Sequence, residues 1–338
     1  MNIVLSADPF LPVPPRLYGG IERVVALLLR HYRAAGHQVL LLAHPDSTEP
    51  ADRLVPWPSE GSGVWGHLGN AGAMRSAVRH FEADVVHSFS RLLYLLRARD
   101  LPALMCFQRE PTARTIRLAH RLAGPRLQFS GCSEYIAGRG RPAGGTWHAV
   151  PNAVDCASIT VSAEVPEDAP LVFLSRVEPI KGAHVAIDIA RRAGRRLIIA
   201  GNRAESGRDA AYFDQEIAPQ LDSQIEYVGP VDDAAKQALL GAAAAMLVPI
   251  QWNEPFGIVF VEALACGTPV ITCPRGAAPE IIEPGRHGFL IRDAAEGVAA
   301  VQQLETVSRE ACRRRAESAF DAPVVARRYL DILEALAS

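Results

Sequence analysis

The chain is 338 residues long, which suits two domains of ordinary size. Hydrophobic residues make up 49% of it and charged residues 21%, a balance that excludes an intrinsically disordered protein. The formal net charge is −2 and no aromatic-plus-basic recognition motif occurs, so we expect no nucleic-acid partner.

The N-terminal sequence predicts a cytoplasmic protein. MNIVLSADPF enters a strand pattern at once and lacks the basic and long apolar regions of a secretory signal. The longest apolar run, ALLGAAAAMLVPI at 238–250, is too short to cross a bilayer and contains a proline. The six cysteines have no metal-ligand spacing and lie mostly in apolar runs, which indicates buried, reduced thiols.

Short apolar runs alternate with helical patterns along the whole chain. In the first half the predicted strands are NIVLSA, QVLLLAH, DVVHSF, ALMCF and LQFSGCS. In the second half they are LVFLS, RLIIAG, IEYVG, AMLVPI, PVITC and GFLI. Such continuous runs predict parallel strands that crossover helices cover on both faces. The fold class is therefore α/β, with two doubly wound, Rossmann-like domains.

The pattern breaks at DCASITVSAEVPEDAP, residues 155–170, where we place the linker. We predict an N-terminal domain over 1–155, a C-terminal domain over 168–318 and a closing helical segment over 319–338. Open α/β sheets bind ligands at the carboxyl ends of their strands. If the two edges face each other, the site is the cleft between the domains.

A double glycine precedes the first helical pattern. A proline-containing loop from Asp8 to Tyr18 follows the first strand, and Gly19 and Gly20 lead into the amphipathic sequence IERVVALLLRHY. Glycines at a helix start let the backbone approach a ligand, and the helix amides favour a phosphate. A plain turn explains the same pattern, and the segment is not a GxGxxG dinucleotide fingerprint.

A histidine, His87, ends the predicted strand ADVVHSFS. A histidine on a strand is usually a satisfied core residue. At a strand end that faces a crevice, the imidazole is suited to hydrogen-bond a reacting sugar or to share a proton. We therefore treat His87 as a candidate catalytic residue.

Residues 91–141 are strongly basic, with ten arginines against Asp100, Glu110 and Glu134. Solvated helix faces are one interpretation, and a basic face for an anionic acceptor or a membrane surface is the other. The arginines are Arg91, Arg97, Arg99, Arg109, Arg114, Arg117, Arg121, Arg126, Arg139 and Arg141.

Two cations flank the loop after the first strand of the second half. In FLSRVEPIKGAHVAIDIA, Arg176 follows the strand and Lys181 precedes the helix. An arginine fork and a lysine point charge together suit a diphosphate, although a solvated surface pair has the same sequence. Only two lysines occur in the chain, Lys181 and Lys236, which makes a lysine in this loop noteworthy.

The segment NEPFGIVFVEALACGTPVI places Glu254 in a loop and Glu262 in an apolar helix. An ionised carboxylate in such a helix is costly unless it is paired, and we expect its partner to be a ligand. Glu262 is suited to the cis hydroxyls of a ribose and Glu254 to the hydroxyls of a sugar. The amides of Gly257, Ile258 and Val259 would hold a phosphate at the helix start. Two capping or ion-paired glutamates are the alternative.

At these residues the chain resembles the retaining glycosyltransferases of family 4, two-domain enzymes with the GT-B fold. The resemblance covers nearly the whole chain through YGGIERVV, SRVEPIKG and EPFGIVFVEALACGTPVI. The last of these is the family's E-x7-E motif and is the most specific. The resemblance implies two Rossmann-like domains facing across a cleft, with the C-terminal helix packing back on the N-terminal domain.

The resemblance also implies the reaction. A sugar passes from a nucleoside-diphosphate-sugar, UDP- or GDP-linked with UDP-glucose favoured, to a hydroxyl of a glycan, lipid or small-molecule acceptor. The C-terminal domain holds the donor and the N-terminal domain the acceptor. No cofactor and no metal ion are expected, because no Asp-x-Asp motif occurs and cations and helix termini neutralise the leaving diphosphate. Peripheral contact with the inner membrane face would use the arginine-rich N-terminal domain.

Four residue roles in the C-terminal domain follow from the resemblance. Arg176 and Lys181 fall on the diphosphate. Glu262 falls on the ribose. Glu254 falls on the donor sugar, where it counts with His87 as catalytic.

Further roles follow for the remaining motifs. Gly19 and Gly20 would approach the phosphates. In VGPVDD the residues bordering the base would be Val228, Gly229 and Val231.

Two departures from the family pattern concern the N-terminal half. The motif usually written with Asn-Gly has Ala153 in VPNAVD, so the turn there is expected to differ. The strand ALMCFQRE lacks a histidine that relatives often carry, which leaves acceptor recognition open.

Three alternatives stay open on the sequence. A sugar-nucleotide epimerase would need several acids and bases around the sugar, which we do not identify. A phosphorylase would need a pyridoxal-phosphate lysine, and Lys236, in the helical stretch DDAAKQALLG, is poorly placed for a Schiff base. A non-catalytic nucleotide-sugar binder would not require His87 together with both glutamates.

Overall fold

The protein is described by a computed structural model that covers residues 1–16, 19–95 and 100–338. The chain forms two compact units. Unit 1 comprises Met1–Val154 together with Asp321–Ser338, and unit 2 comprises Asp155–Phe320.

Unit 1 has a parallel sheet with helices in its crossovers. Its strands are β1 (Asn2–Ser6), β2 (Gln38–Ala43), β3 (Arg53–Pro56), β4 (Val85–Ser88), β5 (Ala103–Phe107), β6 (Leu127–Gly131) and β7 (Trp147–Ala149). Its helices up to this point are α1 (Gly20–Ala34), α2 (Gly63–His80), α3 (Leu92–Leu95), α4 (Ala113–Ala123) and α5 (Glu134–Gly140). Counting only the described residues, the order of the seven strands is β3-β2-β1-β4-β5-β6-β7.

Unit 2 repeats this architecture. Its strands are β8 (Leu171–Leu174), β9 (Leu197–Ala200), β10 (Ile225–Gly229), β11 (Ala245–Val248), β12 (Val270–Thr272) and β13 (Gly288–Leu290). Its α-helices are α6 (Ala183–Arg192), α7 (Gly207–Tyr212), α8 (Asp233–Ala242), α9 (Ile258–Ala265), α10 (Ala278–Ile281), α11 (Ala294–Gln302) and α12 (Arg309–Phe320). As far as the structure describes the unit, its six parallel strands run in the order β10-β9-β8-β11-β12-β13.

Continuous apolar sequence identified the strands that are buried on both faces. Ile3, Val4 and Leu5 of β1 are fully buried, as are the residues of β8 and β11 apart from a few percent at their ends. All eleven predicted strands are confirmed. The sequence prediction lacked β3 and β7, which lie at the two edges of the unit 1 sheet. β3 is largely exposed and β7 has three residues, so neither has a continuous apolar run.

The final helix, α13 (Ala322–Ala337), belongs to unit 1 and packs on α1. Asp321 caps it by accepting a hydrogen bond from the Ala322 amide at 3.0 Å, and the proline at 323 stands in its first turn. The Ala322 amide also donates to the Val154 carbonyl at 2.9 Å, which places the start of the helix beside the end of the first 154 residues. The helix therefore packs back on unit 1, as the resemblance implied.

The predicted linker is not a free connection. Residues 155–162 belong to unit 2 because two arginines of α12 bind their backbone carbonyls. Arg313 donates to the carbonyls of Cys156 and Ile159 at 2.7 and 2.9 Å, and Arg309 donates to that of Ser162 at 2.6 Å. The start of unit 2 therefore lies at Asp155 instead of residue 168, and its end at Phe320 instead of residue 318.

All six cysteines are buried with free thiols, as predicted. Within the described part of the chain, every helix is too short or too polar to pass through a lipid bilayer.

Candidate functional site

The predicted donor residues of unit 2 meet where its strand order reverses. β8 and β11 are neighbours in the sheet, although two strands separate them in the sequence. Arg176 and Lys181 follow β8, and Glu254 follows β11. In open α/β sheets this reversal point, at the carboxyl ends of the strands, is where ligands bind.

Lys181 and Glu254 form an ion pair. Lys181 Nζ lies 2.6 Å from Glu254 Oε2, and the two side chains are only 10% and 13% exposed. Trp252 Nε1 donates to the same oxygen at 3.0 Å, and Lys181 Nζ lies 4.7 Å from the centre of the indole ring. The lysine predicted for a diphosphate and the glutamate predicted for a sugar therefore act on each other.

Close backbone packing holds these two loops together. Gly182 has φ +80°, and a Cβ there would lie 2.1 Å from the Pro249 carbonyl oxygen. Gly276 has φ +60°, and a Cβ there would lie 2.1 Å from the Glu254 carbonyl oxygen. Only glycine tolerates both the left-handed backbone and such an approach. The pair Lys181–Glu254 is thus fixed by the backbone as well as by its charges.

Arg176 precedes Lys181 in the same loop and is more exposed. Its guanidinium forms an ion pair with Glu178, and its side chain is 42% exposed. The same contact is a hydrogen bond that Arg176 Nη1 donates to Glu178 Oε1. The loop then turns through Pro179–Lys181. Arg176 is thus a partly neutralised, accessible cation at the same strand end.

Glu262 is paired by the protein, which corrects the expectation that a ligand relieves it. Lys236 of α8 places Nζ 2.5 Å from Glu262 Oε1 and 3.0 Å from Asp233 Oδ1. The motif sequence could not reveal this ion pair, because Lys236 precedes Glu262 by 26 residues and lies on a different helix. Each of the two lysines in the chain is therefore bound to one glutamate of the E-x7-E pair.

The helix that carries Glu262 begins at the same edge of the sheet. Gly257 is the N-cap of α9, and none of the side chains that the structure describes caps the helix there. Ile258 and Val259 form its first turn, and the rest of the helix is packed into the core. Uncapped amides at a helix start suit an anion, and a phosphate at this position stays a prediction.

The predicted base-bordering residues lie at the end of β10. Val228 and Gly229 are the last residues of that strand, and Val231 lies between the strand and α8. Val228 is exposed. Because α8 starts with Asp233, this segment leads directly into the helix that carries Lys236.

In unit 1, the double glycine lies beside two carboxylates. Gly19 is the N-cap of α1 and Gly20 is its first residue. A Cβ on Gly19 would lie 2.9 Å from Glu22 Oε2. Burial raises the pKa of Glu22, and the charge of Asp8 adds to this increase. Asp8 follows β1. Burial raises the pKa of Asp8, although the charges of Arg91 and Arg109 lower it in part.

The structure contradicts the prediction that His87 lines a crevice. The ring is completely buried, with Nδ1 3.0 Å from Tyr32 Oη and Nε2 3.0 Å from Cys106 Sγ. The ring of Tyr329, on α13, packs 4.5 Å away. Burial lowers the pKa of His87 to about 3. His87 is therefore a satisfied core residue, and sequence alone did not show that α13 returns to cover it.

Comparison with known protein families gives two separate matches, one in each half of the chain. The profile "Glycosyltransferase Family 4" matches residues 18–157, and the profile "Glycosyl transferases group 1" matches residues 169–306. The chain belongs to glycosyltransferase family 4. It is 28% identical to a phosphatidyl-myo-inositol mannosyltransferase of Mycolicibacterium smegmatis, over 83% of this chain and 80% of that protein.

Solved structures agree on the GT-B fold. AviGT4, a glycosyltransferase involved in avilamycin A biosynthesis, is 26% identical with a TM-score of 0.74, covering 99% of this chain and 98% of that one. HepE of Anabaena, solved in complex with UDP and glucose, is 20% identical with a TM-score of 0.76, covering 99% and 100%. This family 4 glycosyltransferase is thus an enzyme of the transferase class.

Sequence reasoning missed two partners of the family's glutamates. The sequence pattern marks Lys236 only as a poor Schiff-base lysine and does not mark Trp252 at all. The scarcity of lysine was the available signal, because two lysines among 35 basic residues both neutralise motif carboxylates. Trp252 stands two residues before Glu254 and carried no such signal.

The basic run of this glycosyltransferase is not one continuous face. Arg97 and Arg99 lie outside the described residues. Arg139 pairs with Glu110, and Arg141 with Glu134. Three arginines remain exposed on α4 without an ion pair to any residue that the structure describes: Arg114, Arg117 and Arg121.

Proposed function

We propose that unit 2 binds a nucleoside-diphosphate-sugar and that the enzyme transfers the sugar to a hydroxyl acceptor with retention of configuration. The observation that carries this proposal is the ion pair of Lys181 with Glu254 at the strand-order reversal, beside Arg176 and the start of α9. A cation and an acceptor oxygen lie side by side there. Such a site can bind phosphate oxygens and sugar hydroxyls of one molecule.

The proposed roles follow from the available donors and acceptors. Lys181 has three N–H donors and uses one on Glu254, which leaves two for diphosphate oxygens. Glu254 Oε2 is occupied, so Oε1 is the oxygen that would accept from the sugar hydroxyls. Arg176 and the amides at Gly257, Ile258 and Val259 would add positive potential around the leaving diphosphate. Glu262 would accept from the ribose.

The donor is proposed to be UDP- or GDP-linked, with UDP-glucose the first to test. With His87 in the core, Glu254 is the one remaining residue that we propose as catalytic. Its role would be to hold the sugar hydroxyls while the bond to the diphosphate breaks. We assign retention on family membership, and the acceptor is proposed to offer a free hydroxyl.

We expect transfer to proceed without a metal ion. Lys181, Arg176 and α9 together would supply the positive field that Mg²⁺ provides elsewhere. The test presents UDP-, GDP-, ADP- and TDP-sugars with and without excess EDTA and follows release of nucleoside diphosphate. NMR of the product or hydrolysed sugar then reports the anomeric configuration.

We expect at least one donor to be consumed at a rate that EDTA changes by less than about twofold, with retention. Loss of activity in EDTA that Mg²⁺ or Mn²⁺ restores would contradict metal independence. Interconversion of sugar epimers with no transfer would favour the epimerase alternative. Nucleotide binding without any turnover would favour the binding-protein alternative.

We also propose that unit 1 touches an anionic membrane surface through the outer face of α4. This face consists of Arg114, Arg117 and Arg121 with Leu118 and Leu122. The two leucines are 54% and 45% exposed, while the opposite side of the helix packs on the core through its buried residues. The helix contains no acidic residue. Exposed leucines among arginines that form no ion pair with a described residue suit the boundary between lipid headgroups and acyl chains.

The membrane proposal predicts a salt-sensitive loss of binding in Arg117→Glu/Arg121→Glu. Each basic residue near an anionic bilayer contributes about 1 kcal/mol, so reversing two should weaken vesicle binding by more than about tenfold. Co-sedimentation with vesicles of phosphatidylglycerol and phosphatidylcholine measures this. Arg314→Glu, which disrupts an exposed ion pair with Glu310 in unit 2, is the control. Equal binding of all variants, or no preference over pure phosphatidylcholine, would exclude this face.

A further inference from the structure

The carboxylate proposed for the ribose is held by a lysine from the neighbouring helix. Lys236 stands in the first turns of α8, and its Nζ contacts Glu262 Oε1 at 2.5 Å and Asp233 Oδ1 at 3.0 Å. Lys236 and Glu262 are 17% and 16% exposed. An ion pair so shielded from water is screened less than a surface pair, so the contact restrains the direction of the carboxylate.

Lys236 remains charged in this position. Burial alone would lower the pKa of Lys236, but the charge and hydrogen bond of Glu262, together with those of Asp233, raise it above its ordinary value. The lysine therefore stays a donor at neutral pH and fixes Oε1. Its third N–H is left over once Glu262 and Asp233 are bound.

The contact leaves the other side of the carboxylate available. Glu262 Oε2 accepts no hydrogen bond from any side chain or amide that the structure describes. A carboxylate offers about four lone-pair sites, so one lysine contact leaves capacity for two hydroxyl donors. Two adjacent hydroxyls of one ribose match that capacity, whereas a deoxyribose supplies only one.

We propose that Lys236 is a positioning residue that aims Glu262 at both ribose hydroxyls and so makes the donor site selective for ribonucleotides over 2′-deoxyribonucleotides. This inference rests on the proposed assignment of Glu262 to the ribose. Lys236 acts through Glu262 without touching the ribose. Its placement fits, because α8 begins directly after the segment of Val228, Gly229 and Val231 that is proposed to border the base.

The test compares each ribonucleoside diphosphate with its 2′-deoxy counterpart by calorimetry. UDP, GDP and ADP are titrated first, and the tightest is paired with dUDP, dGDP or dADP. We expect the unmodified protein to prefer the ribonucleotide by about 10- to 100-fold, the range of one hydrogen bond to a charged group. In Lys236→Met the preference should fall below about threefold, while affinity for the deoxynucleotide changes little. Glu262→Gln should lose the same preference.

Two further variants control for folding. Lys236→Arg keeps the positive charge and should retain part of the preference for the ribonucleotide. This variant replaces Lys236→Met in the comparison if the methionine variant melts at a much lower temperature. Arg314→Met removes a surface ion pair of the same unit and should leave every affinity unchanged.

The inference is overturned if Lys236→Met keeps the preference that Glu262→Gln loses, because Lys236 is then only structural. It is also overturned if Lys236→Met weakens both nucleotides equally, because the lysine then acts on the phosphates or the base. Failure of the unmodified protein to bind any of the three ribonucleoside diphosphates would instead reject the proposed function, and with it this inference.

Discussion

Replacing Lys181 with methionine is expected to lower sugar transfer by about 100- to 1,000-fold, the range found when one preorganised charge or donor is removed from an active site. Lys181 would neutralise the leaving diphosphate and also orient Glu254, to which it is bound at 2.6 Å. Both contributions vanish together in this variant. The measurement is the rate of nucleoside diphosphate release from the donor that the enzyme accepts.

The same variant should also lose stability, for a separable reason. Without the lysine, the Glu254 carboxylate, which is 13% exposed, keeps only the Trp252 indole N–H as a donor among the residues that the structure describes. Leaving a charged group short of a partner costs about 1–3 kcal/mol of unfolding free energy. Adding Glu254→Gln to Lys181→Met should restore most of that stability while transfer stays low.

Melting curves measured beside the rates separate these two effects. Arg192→Met, which breaks an exposed ion pair with Asp188 on α6, is the matched control and should change neither quantity. Transfer by Lys181→Met at a rate within about threefold of the unmodified enzyme would remove Lys181 from the proposed mechanism. Recovery of transfer in the double variant would show that Lys181 serves only to neutralise Glu254.

The second large effect concerns His87 and is an effect on stability. His87→Ala is expected to lower the free energy of unfolding by about 3–5 kcal/mol, because it leaves a cavity and deprives Tyr32 Oη and Cys106 Sγ of their shared partner. The transfer rate per folded molecule should be nearly unchanged. Chemical denaturation beside the activity of the folded fraction measures both. His80→Ala, at an exposed position on α2, is the control.

Acid should destabilise the protein partly through His87. Its pKa is about 3 in the folded protein, because burial disfavours the charged ring, and about 6.5 in an unfolded chain. Between these pH values the His87 ring is protonated in the unfolded state and neutral in the folded state. Stability should therefore fall as the pH is lowered from about 6.5 to about 3, by up to about 1.4 kcal/mol per pH unit from this group. His87→Phe keeps the ring volume and should show a shallower fall.

A catalytic role for His87 predicts the reverse pattern. The variants would then unfold like the unmodified protein and transfer sugar slowly. That outcome would require the ring to leave its contacts with Tyr32 and Tyr329, and would overturn its assignment to the core.

The fold class and most of the strands follow from local sequence patterns. Most of the eleven predicted strands are apolar runs, which a parallel sheet covered on both faces requires, whereas the edge strand β10 has exposed Glu226 and Val228. The same patterns placed Arg176, Lys181, Glu254 and Gly257 at strand ends, because α/β folds put ligand-binding residues there. The E-x7-E spacing was enough to indicate the family. Local patterns were sufficient for these conclusions because each depends on neighbouring residues.

Which charges meet, and which polar groups are buried, depends on contacts between distant parts of the chain. Lys181 reaches Glu254 across 73 residues and Lys236 reaches Glu262 across 26, distances at which no sequence period specifies a contact. His87 is a core residue because α13, more than 230 positions later, places Tyr329 over it. The segment expected to be a linker joins unit 2 because Arg309 and Arg313 of α12 bind its carbonyls. In each case the partner is distant in the chain, and its residue type does not indicate which residue it will contact.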